Sequence, residues 1–196
     1  MKFPFVLLFD WIRGADILKD FKDSGLLPHQ LLLLISDGSL TTHLETIYAC
    51  RLDVEIRESN TILLDNSTSA YLGIEPGQKA VLRVVWLKAK GKKVVYASSI
   101  LPIARIDGRL LEDISRAEEP LGRLLASDYP FSMKECMEVG VVGSPGVASD
   151  LGLSKDTPFW TRRYRLSVQS ADGDRAIKAM VMEIFSSELL GRPVLK

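Results

Sequence analysis

The feature that most constrains this chain is a pair of long apolar runs, each doubled back by a polar turn. Ala80 to Ala89 is rich in Val, Leu and Trp, Lys90-Gly91-Lys92 supplies a turn, and Val94 to Leu101 returns before Pro102 ends the ladder. Phe159 to Val168 and Ala176 to Phe185 repeat the arrangement around Ala171-Asp172-Gly173-Asp174. Leu72-Gly73-Ile74 precedes the first hairpin and Leu151-Gly152-Leu153 the second. At the interval that separates Arg83 from Arg162, 79 residues, Leu87 also falls on Leu166. With so few identities, chance coincidence stands beside duplication as a reading. A duplication predicts two copies of one unit, a short helix, a turn and an antiparallel hairpin, related by a pseudo-twofold. The expected architecture is α+β: an antiparallel sheet of about six strands with helices packed on one face, and room for a ligand between the layers.

The remaining elements follow from local signals. Asp16 to Asp23 reads as a short charged helix, and Pro28 opens an apolar helix through Ile35 that Ser36-Asp37-Gly38-Ser39 stops. Thr41 or Thr42 is expected to cap the next helix, to Ala49, with Glu45 as its capping-box partner. Leu52, Val54 and Ile56 alternate with Asp53, Glu55 and Arg57, the period of a half-buried strand. Residues 108 to 127 read as helix in two pieces broken at Pro120, and Met133 to Val142 as a strand.

Length, charge and apolar content narrow the function classes. A chain of 196 residues, 46% hydrophobic and without a Pro/Gly/Ser-rich linker, is expected to form one domain over residues 1–196. Twenty-five basic residues balance twenty-five acidic ones, so no global field recruits nucleic acid or an anionic membrane, and an anion must be met by local placement. The apolar run Phe3 to Phe9 behind Lys2 ends at Asp10 without a cleavage site, and Leu31 to Ile35 is far shorter than a bilayer span. A soluble, cytoplasmic protein is expected. Cys50 and Cys136 lack the spacing of a zinc site and read as reduced interior thiols; no metal site is expected. His29 and His43 read as surface or cap residues.

Three groups of residues carry candidate chemistry. Arg83 interrupts the apolar run Ala80 to Leu87, where charge is costly unless paired. It is either a salt-bridged or snorkelling side chain, or a bidentate clamp for a ligand carboxylate. Glu183 lies between Met182 and Ile184 in an equally apolar run, and is either the partner of a buried arginine or retained for function. Arg163 and Arg165 face one side of their strand and Arg162 the other. One side would pair with acidic surface while the other reaches a ligand.

Four separated segments, Asp37-Gly38-Ser39-Leu40-Thr41-Thr42, Leu82-Arg83-Val84, Pro120-Leu121-Gly122 and Met182-Glu183-Ile184-Phe185, together resemble the chorismate pyruvate-lyase family over roughly residues 31 to 188. The resemblance implies that Arg83 holds a ring carboxylate and that Glu183 hydrogen-bonds the ring hydroxyl, making these two the catalytic pair. It implies that the backbone of Ser39, Leu40 and Thr41 closes over the carboxylate and that Leu121 lines the pocket. The Arg162-Arg163-Tyr164-Arg165 run is similar to that of mycobacterial-type members, which implies a substrate-binding role for Arg163. Enterobacterial members carry an arginine near the position of Ser98, where this chain reads Tyr96-Ala97-Ser98-Ser99, so no clamp for a second carboxylate is assigned. The implied reaction eliminates pyruvate from chorismate to give 4-hydroxybenzoate, with no cofactor; the oligomeric state is left open. The same Leu-Gly-hydrophobic unit and basic hairpin also resemble the effector-binding domains of GntR-type regulators, which implies a non-catalytic sensor of aromatic carboxylates as the alternative. The stretch up to Asn60 lacks the basic recognition helix of those regulators.

Overall fold

The computed structural model describes residues 5–13, 16, 25–106, 108–116, 118–126, 129–170 and 176–193. Its frame is one seven-stranded sheet in which every neighbouring pair is antiparallel. In chain order the strands are β1 (Val6–Arg13), β2 (Asp53–Leu63), β3 (Lys79–Ala89), β4 (Lys92–Pro102), β5 (Phe131–Gly143), β6 (Pro158–Gln169) and β7 (Ala176–Phe185). Across the sheet they run β1-β5-β6-β7-β4-β3-β2. The helices are α1 (Pro28–Ile35), α2 (Leu40–Tyr48), α3 (Asn66–Leu72), α4 (Gly108–Arg116), α5 (Leu121–Ala126), α6 (Pro145–Asp150) and the short α7 (Ser187–Leu190).

The duplication is structural. Without β1, the order β5-β6-β7 | β4-β3-β2 reads the same from both edges, with the two hairpins meeting where β4 pairs with β7. Each half is a strand, a short helix and a hairpin, and β3 begins at Lys79 as β6 begins at Pro158, the same interval of 79 residues. Even the helix ends correspond. Asp65 and Ser144 are the N-caps of α3 and α6, and Gly73 and Gly152 both adopt the left-handed conformation, φ +68° and +67°, after the helix. Lys90 and Gly91, both at positive φ, close β3 onto β4 in a two-residue hairpin loop. The corresponding turn at Ala171-Asp172-Gly173-Asp174 lies outside the described residues, as does the charged helix expected at Asp16 to Asp23 beyond Asp16 itself.

Strand alternation divides the core into two layers. On one face Val85, Leu87, Val95, Val139, Val141, Trp160 and Phe185 pack against Leu33 and Leu34 of α1 and Leu40 and Leu44 of α2. Val81, Leu101, Tyr164, Val168, Ile177 and Val181 pack on the same face against α4 and α5 through Leu110, Ile114 and Leu125. Each fully buried leucine here contributes about 1.5–3 kcal/mol over an exposed one. The second face is covered as well. Leu72 of α3 meets Leu82, Val84 and Ile100, and Val147 and Ala148 of α6 meet Trp86, Val142, Phe159 and Met182. Trp86 is fully buried there and donates from Nε1 to Asp150 Oδ2 at 2.8 Å.

The α+β class, the antiparallel sheet and the paired hairpins are thus as expected, with differences of detail. The sheet has seven strands rather than about six, because the N-terminal apolar run forms edge strand β1 against β5. The helices divide between both faces, since α3 and α6 are joined by tight turns to the reverse side. Ser39, not Thr41 or Thr42, caps α2, its Oγ accepting from Thr42 N at 3.3 Å. Glu45 instead accepts from Leu52 N at 3.0 Å and pairs with Arg123. Cys50 is half-buried and Cys136 exposed, so the thiols are not interior. No helix among the described residues is long and apolar enough to cross a membrane.

Candidate functional site

Where the α1–α2 and α4–α5 packs part, a cavity of about 510 Å³ opens above the middle of the sheet. Its floor is β3, β4, β6 and β7 through Arg83, Val85, Leu87, Ala97, Ser99, Tyr164, Leu166, Val168, Val181 and Glu183. The turn Asp37 to Ser39 and the start of α2 form one wall, Pro120, Leu121 and Gly122 of the α5 start another, and Ser132 and Lys134 of β5 a third. A largely apolar enclosure with a few convergent charges is what a small anionic ring compound requires.

Arg83 is 2% exposed and reaches the cavity because odd-numbered positions of β3 face the helices. Its Nη2 donates to the carbonyl of Glu119, one residue before Pro120, which ties the guanidinium to the α5 wall. Burial holds its pKa down at about 10, still charged at neutral pH. Glu183, two strands away on β7 and 5% exposed, lines the same cavity. Its Oε2 receives Arg162 Nε at 2.5 Å and its Oε1 receives the Tyr164 hydroxyl at 3.0 Å. Burial, then the neighbouring Glu183 charge, pushes the Tyr164 phenol well up, so it serves as a donor.

Arg162 is fully buried and binds in two directions. Besides Glu183 it serves Leu33 O at 3.0 Å, Leu34 O at 3.3 Å and Ser36 O at 3.0 Å through Nη1. These are the terminal carbonyls of α1, where a cation satisfies orphan acceptors and opposes the negative end of the helix dipole. One guanidinium therefore fixes both the Glu183 carboxylate and the turn leading to Ser39. Both readings of Glu183 hold together: it is the partner of a buried arginine, and it faces the cavity.

Of the residues singled out in the sequence, Ser39, Leu40, Thr41, Arg83, Leu121 and Glu183 all line this cavity. Arg163 does not. It points to the reverse face, where Nε meets Glu138 Oε2 at 2.6 Å and the guanidinium stacks 4.3 Å from the Trp11 ring. Alternation on β6 gives the cavity to Arg162 and Tyr164, and Arg165 joins Arg163 on the other side with Glu135 at 2.9 Å. The interval of 79 residues that superposes Arg162 on Arg83 was the signal for choosing Arg162.

Lys134 was not singled out at all. It lies over the Tyr164 ring at 5.0 Å and donates to the carbonyls of Gly38 and, at 3.4 Å, Ser36. Burial, reinforced by the Arg162 charge and opposed by Glu183 and Asp37, holds its pKa down at about 8. A bulge hides it from period counting: Cys136 takes φ 51°, and the β5–β6 register shifts between Glu135 and Glu138. His29 is exposed, and His43 packs its ring near Gly38. No group of three or more His, Cys, Asp or Glu among the described residues is placed to hold a metal.

Known proteins resemble this arrangement in two ways. At the level of fold, the effector domain of PhnF from Mycobacterium smegmatis matches with a TM-score of 0.58 at 17% identity, covering 77% of this chain and 90% of that one. A GntR-family transcriptional regulator from Bacillus cereus matches with a TM-score of 0.52 at 13% identity, covering 74% and 98%. At the level of sequence, a protein of Halorhodospira halophila named "Probable chorismate pyruvate-lyase" is 31% identical over 163 residues, 80% of each chain. The family described as "Chorismate pyruvate-lyase Rv2949c-like" matches residues 34–191, which span every cavity wall described above. This chain belongs to that chorismate pyruvate-lyase family.

Proposed function

We propose that the protein is a chorismate lyase that releases pyruvate from chorismate and leaves 4-hydroxybenzoate. The observation that carries the reading is the convergence of Arg83 and Glu183, from strands separated by β4, on one enclosed cavity. In the reaction the ether bond between ring and enolpyruvyl group breaks, and the ring carbon bearing the hydroxyl gives up its proton. The enolpyruvyl fragment gains a proton to become pyruvate. Aromatisation supplies the driving force, so atoms and electrons balance without an oxidant.

The protein's task is then geometric and electrostatic. Arg83 would hold the ring carboxylate through its planar fork, the Ser39-Leu40-Thr41 backbone lying beside that group. Glu183, held by Arg162 and Tyr164, would accept the ring hydroxyl's hydrogen bond and stand next to the proton that leaves. Val85, Leu121, Leu166 and Val181 would exclude water from the ring.

Purified protein incubated with chorismate and EDTA should release pyruvate, read by a coupled lactate dehydrogenase assay, and equimolar 4-hydroxybenzoate, read by chromatography. The fold shared with GntR-type effector domains favours a second reading, a non-catalytic binder of aromatic carboxylates. That reading takes over if 4-hydroxybenzoate binds by calorimetry while chorismate is returned unchanged. Turnover that EDTA abolishes and a divalent ion restores would overturn the cofactor-free mechanism.

A further inference from the structure

We propose that Lys134 is the binding residue for the enolpyruvyl carboxylate of chorismate, forming with Arg83 a two-cation cradle that selects a dicarboxylate substrate over its monocarboxylate product. This inference rests on the lyase reading above and identifies the second of the two anionic subsites that reading requires.

Three observations support it. First, placement: Lys134 and Arg83 line the same cavity from β5 and β3, on opposite sides of the Glu183 and Tyr164 floor. Four strand steps of about 4.8 Å separate the two backbones, roughly 19 Å, and two long side chains project into that span. A substrate with its carboxylates at opposite ends suits such a frame; the product, with one carboxylate, occupies only the Arg83 end.

Second, charge. Arg162 and Glu183 neutralise each other at 2.5 Å, whereas no carboxylate among the described residues lies within ion-pair distance of Lys134. Its partners are neutral acceptors, the Ser36 and Gly38 carbonyls and the Tyr164 ring face. A partly desolvated ammonium held only by carbonyls gains most from an anion delivered to it. The lowered pKa of about 8 agrees: the site bears a charge at neutral pH that its surroundings do not fully compensate.

Third, the neighbouring strand has no other cation to offer. Where an arginine of β4 would reach this region, the chain carries Ala97, Ser98 and Ser99. Among the described residues that line the cavity, Lys134 and Arg83 are the cations.

The test compares two ligands on three proteins. In the wild type, calorimetry measures 4-hydroxybenzoate, and steady-state kinetics measure chorismate. Lys134→Met should raise KM for chorismate by about 10- to 100-fold, the range for losing one charge-assisted hydrogen-bonded contact, while 4-hydroxybenzoate affinity stays within about threefold. Lys134→Arg keeps the charge and should hold KM within severalfold of wild type.

The wild-type KM should also climb above pH 8 as the ammonium deprotonates, and Lys134→Arg should flatten that climb. The groups facing Lys134 that must be read alongside are Arg162 and Tyr164 of β6, Glu183 of β7, Asp37 of the turn and Arg83 across the cavity. If Lys134→Met weakens both ligands equally, Lys134 only pins the Ser36–Gly38 turn and the proposal is overturned. If it weakens neither, or if the alkaline climb persists in Lys134→Arg, it is overturned too. Should Lys134→Met not fold, the pH comparison decides alone. A wild-type protein that neither binds nor consumes chorismate sinks the lyase reading itself, an outcome visible before any variant is made.

Discussion

At the scale of single residues, one guanidinium carries several functions. Arg162 orients Glu183, terminates α1 and sets the turn before Ser39, so the catalytic candidate and its supporting structure share a partner. Glu183→Gln keeps shape and hydrogen bonding but removes the charge opposite Arg162. It should retain 4-hydroxybenzoate binding within about tenfold while kcat falls by about 10² or more. The same substitution leaves a buried guanidinium uncompensated and should cost about 3 kcal/mol of stability. Melting temperature and single-turnover rate, measured together, separate the two effects; a stable and fully active variant removes Glu183 from the catalytic pair. Arg83→Ala should weaken 4-hydroxybenzoate by about 2–4 kcal/mol, because the ligand carboxylate is left buried without its counter-ion. Unchanged affinity in a folded variant would reduce Arg83 to an anchor for the Glu119 carbonyl.

At the scale of elements, β5 has the greatest influence on the site. Counting back from Val139 and Val141, which face the cavity layer, strict alternation assigns Met133 and Glu135 to that layer and Lys134 to the reverse. The bulge at Cys136 inverts this: Glu135 and Glu138 both reach the reverse face to meet Arg165 and Arg163, and Lys134 turns inward. Because Cys136 sits at φ 51°, a backbone region that L residues pay about 1–2 kcal/mol to enter, the residue type there is testable. Cys136→Gly should leave the melting temperature equal or higher and the kinetics unchanged. Cys136→Val, β-branched and exposed, should lower stability by about 1–2 kcal/mol. Equal melting temperatures for both would mean that the bulge is not strained.

At the scale of the whole molecule, the two halves build one cavity from equivalent positions, and buried charge leaves a signature in its pH dependence. Lys134 has a folded-state pKa of about 8 against an ordinary 10.5. Between those values the unfolded chain still binds the proton that the folded chain has released, so stability rises with pH across that window. Arg83, lowered to about 10, adds the same sign only above pH 10. Tyr71, raised by burial to about 12, works the other way there, since the unfolded phenol ionises first. Denaturant midpoints for the wild type should therefore increase from pH 8 toward pH 10, and Lys134→Met should lose the increase. A flat wild-type profile would show that the ammonium is solvated in the folded state.

The sequence by itself determined the hairpins, the duplication interval, the α+β class and the cavity residues Arg83 and Glu183. Each depends on local alternation, turn chemistry or an isolated charge in an apolar run, all properties of neighbours along the chain. It also displayed Arg162 at the position equivalent to Arg83. Only the tertiary structure decided that Arg162 rather than Arg163 serves the site, because its partners Leu33, Ser36 and Glu183 come from segments far apart in sequence. The edge strand β1, the capping of α2 by Ser39 and the release of Glu45 to Leu52 and Arg123 were likewise settled by where other elements pack. Lys134 is the sharpest case: one residue of bulge, set by cross-strand pairing and not by composition, turns the period by half and moves its charge from one face of the sheet to the other.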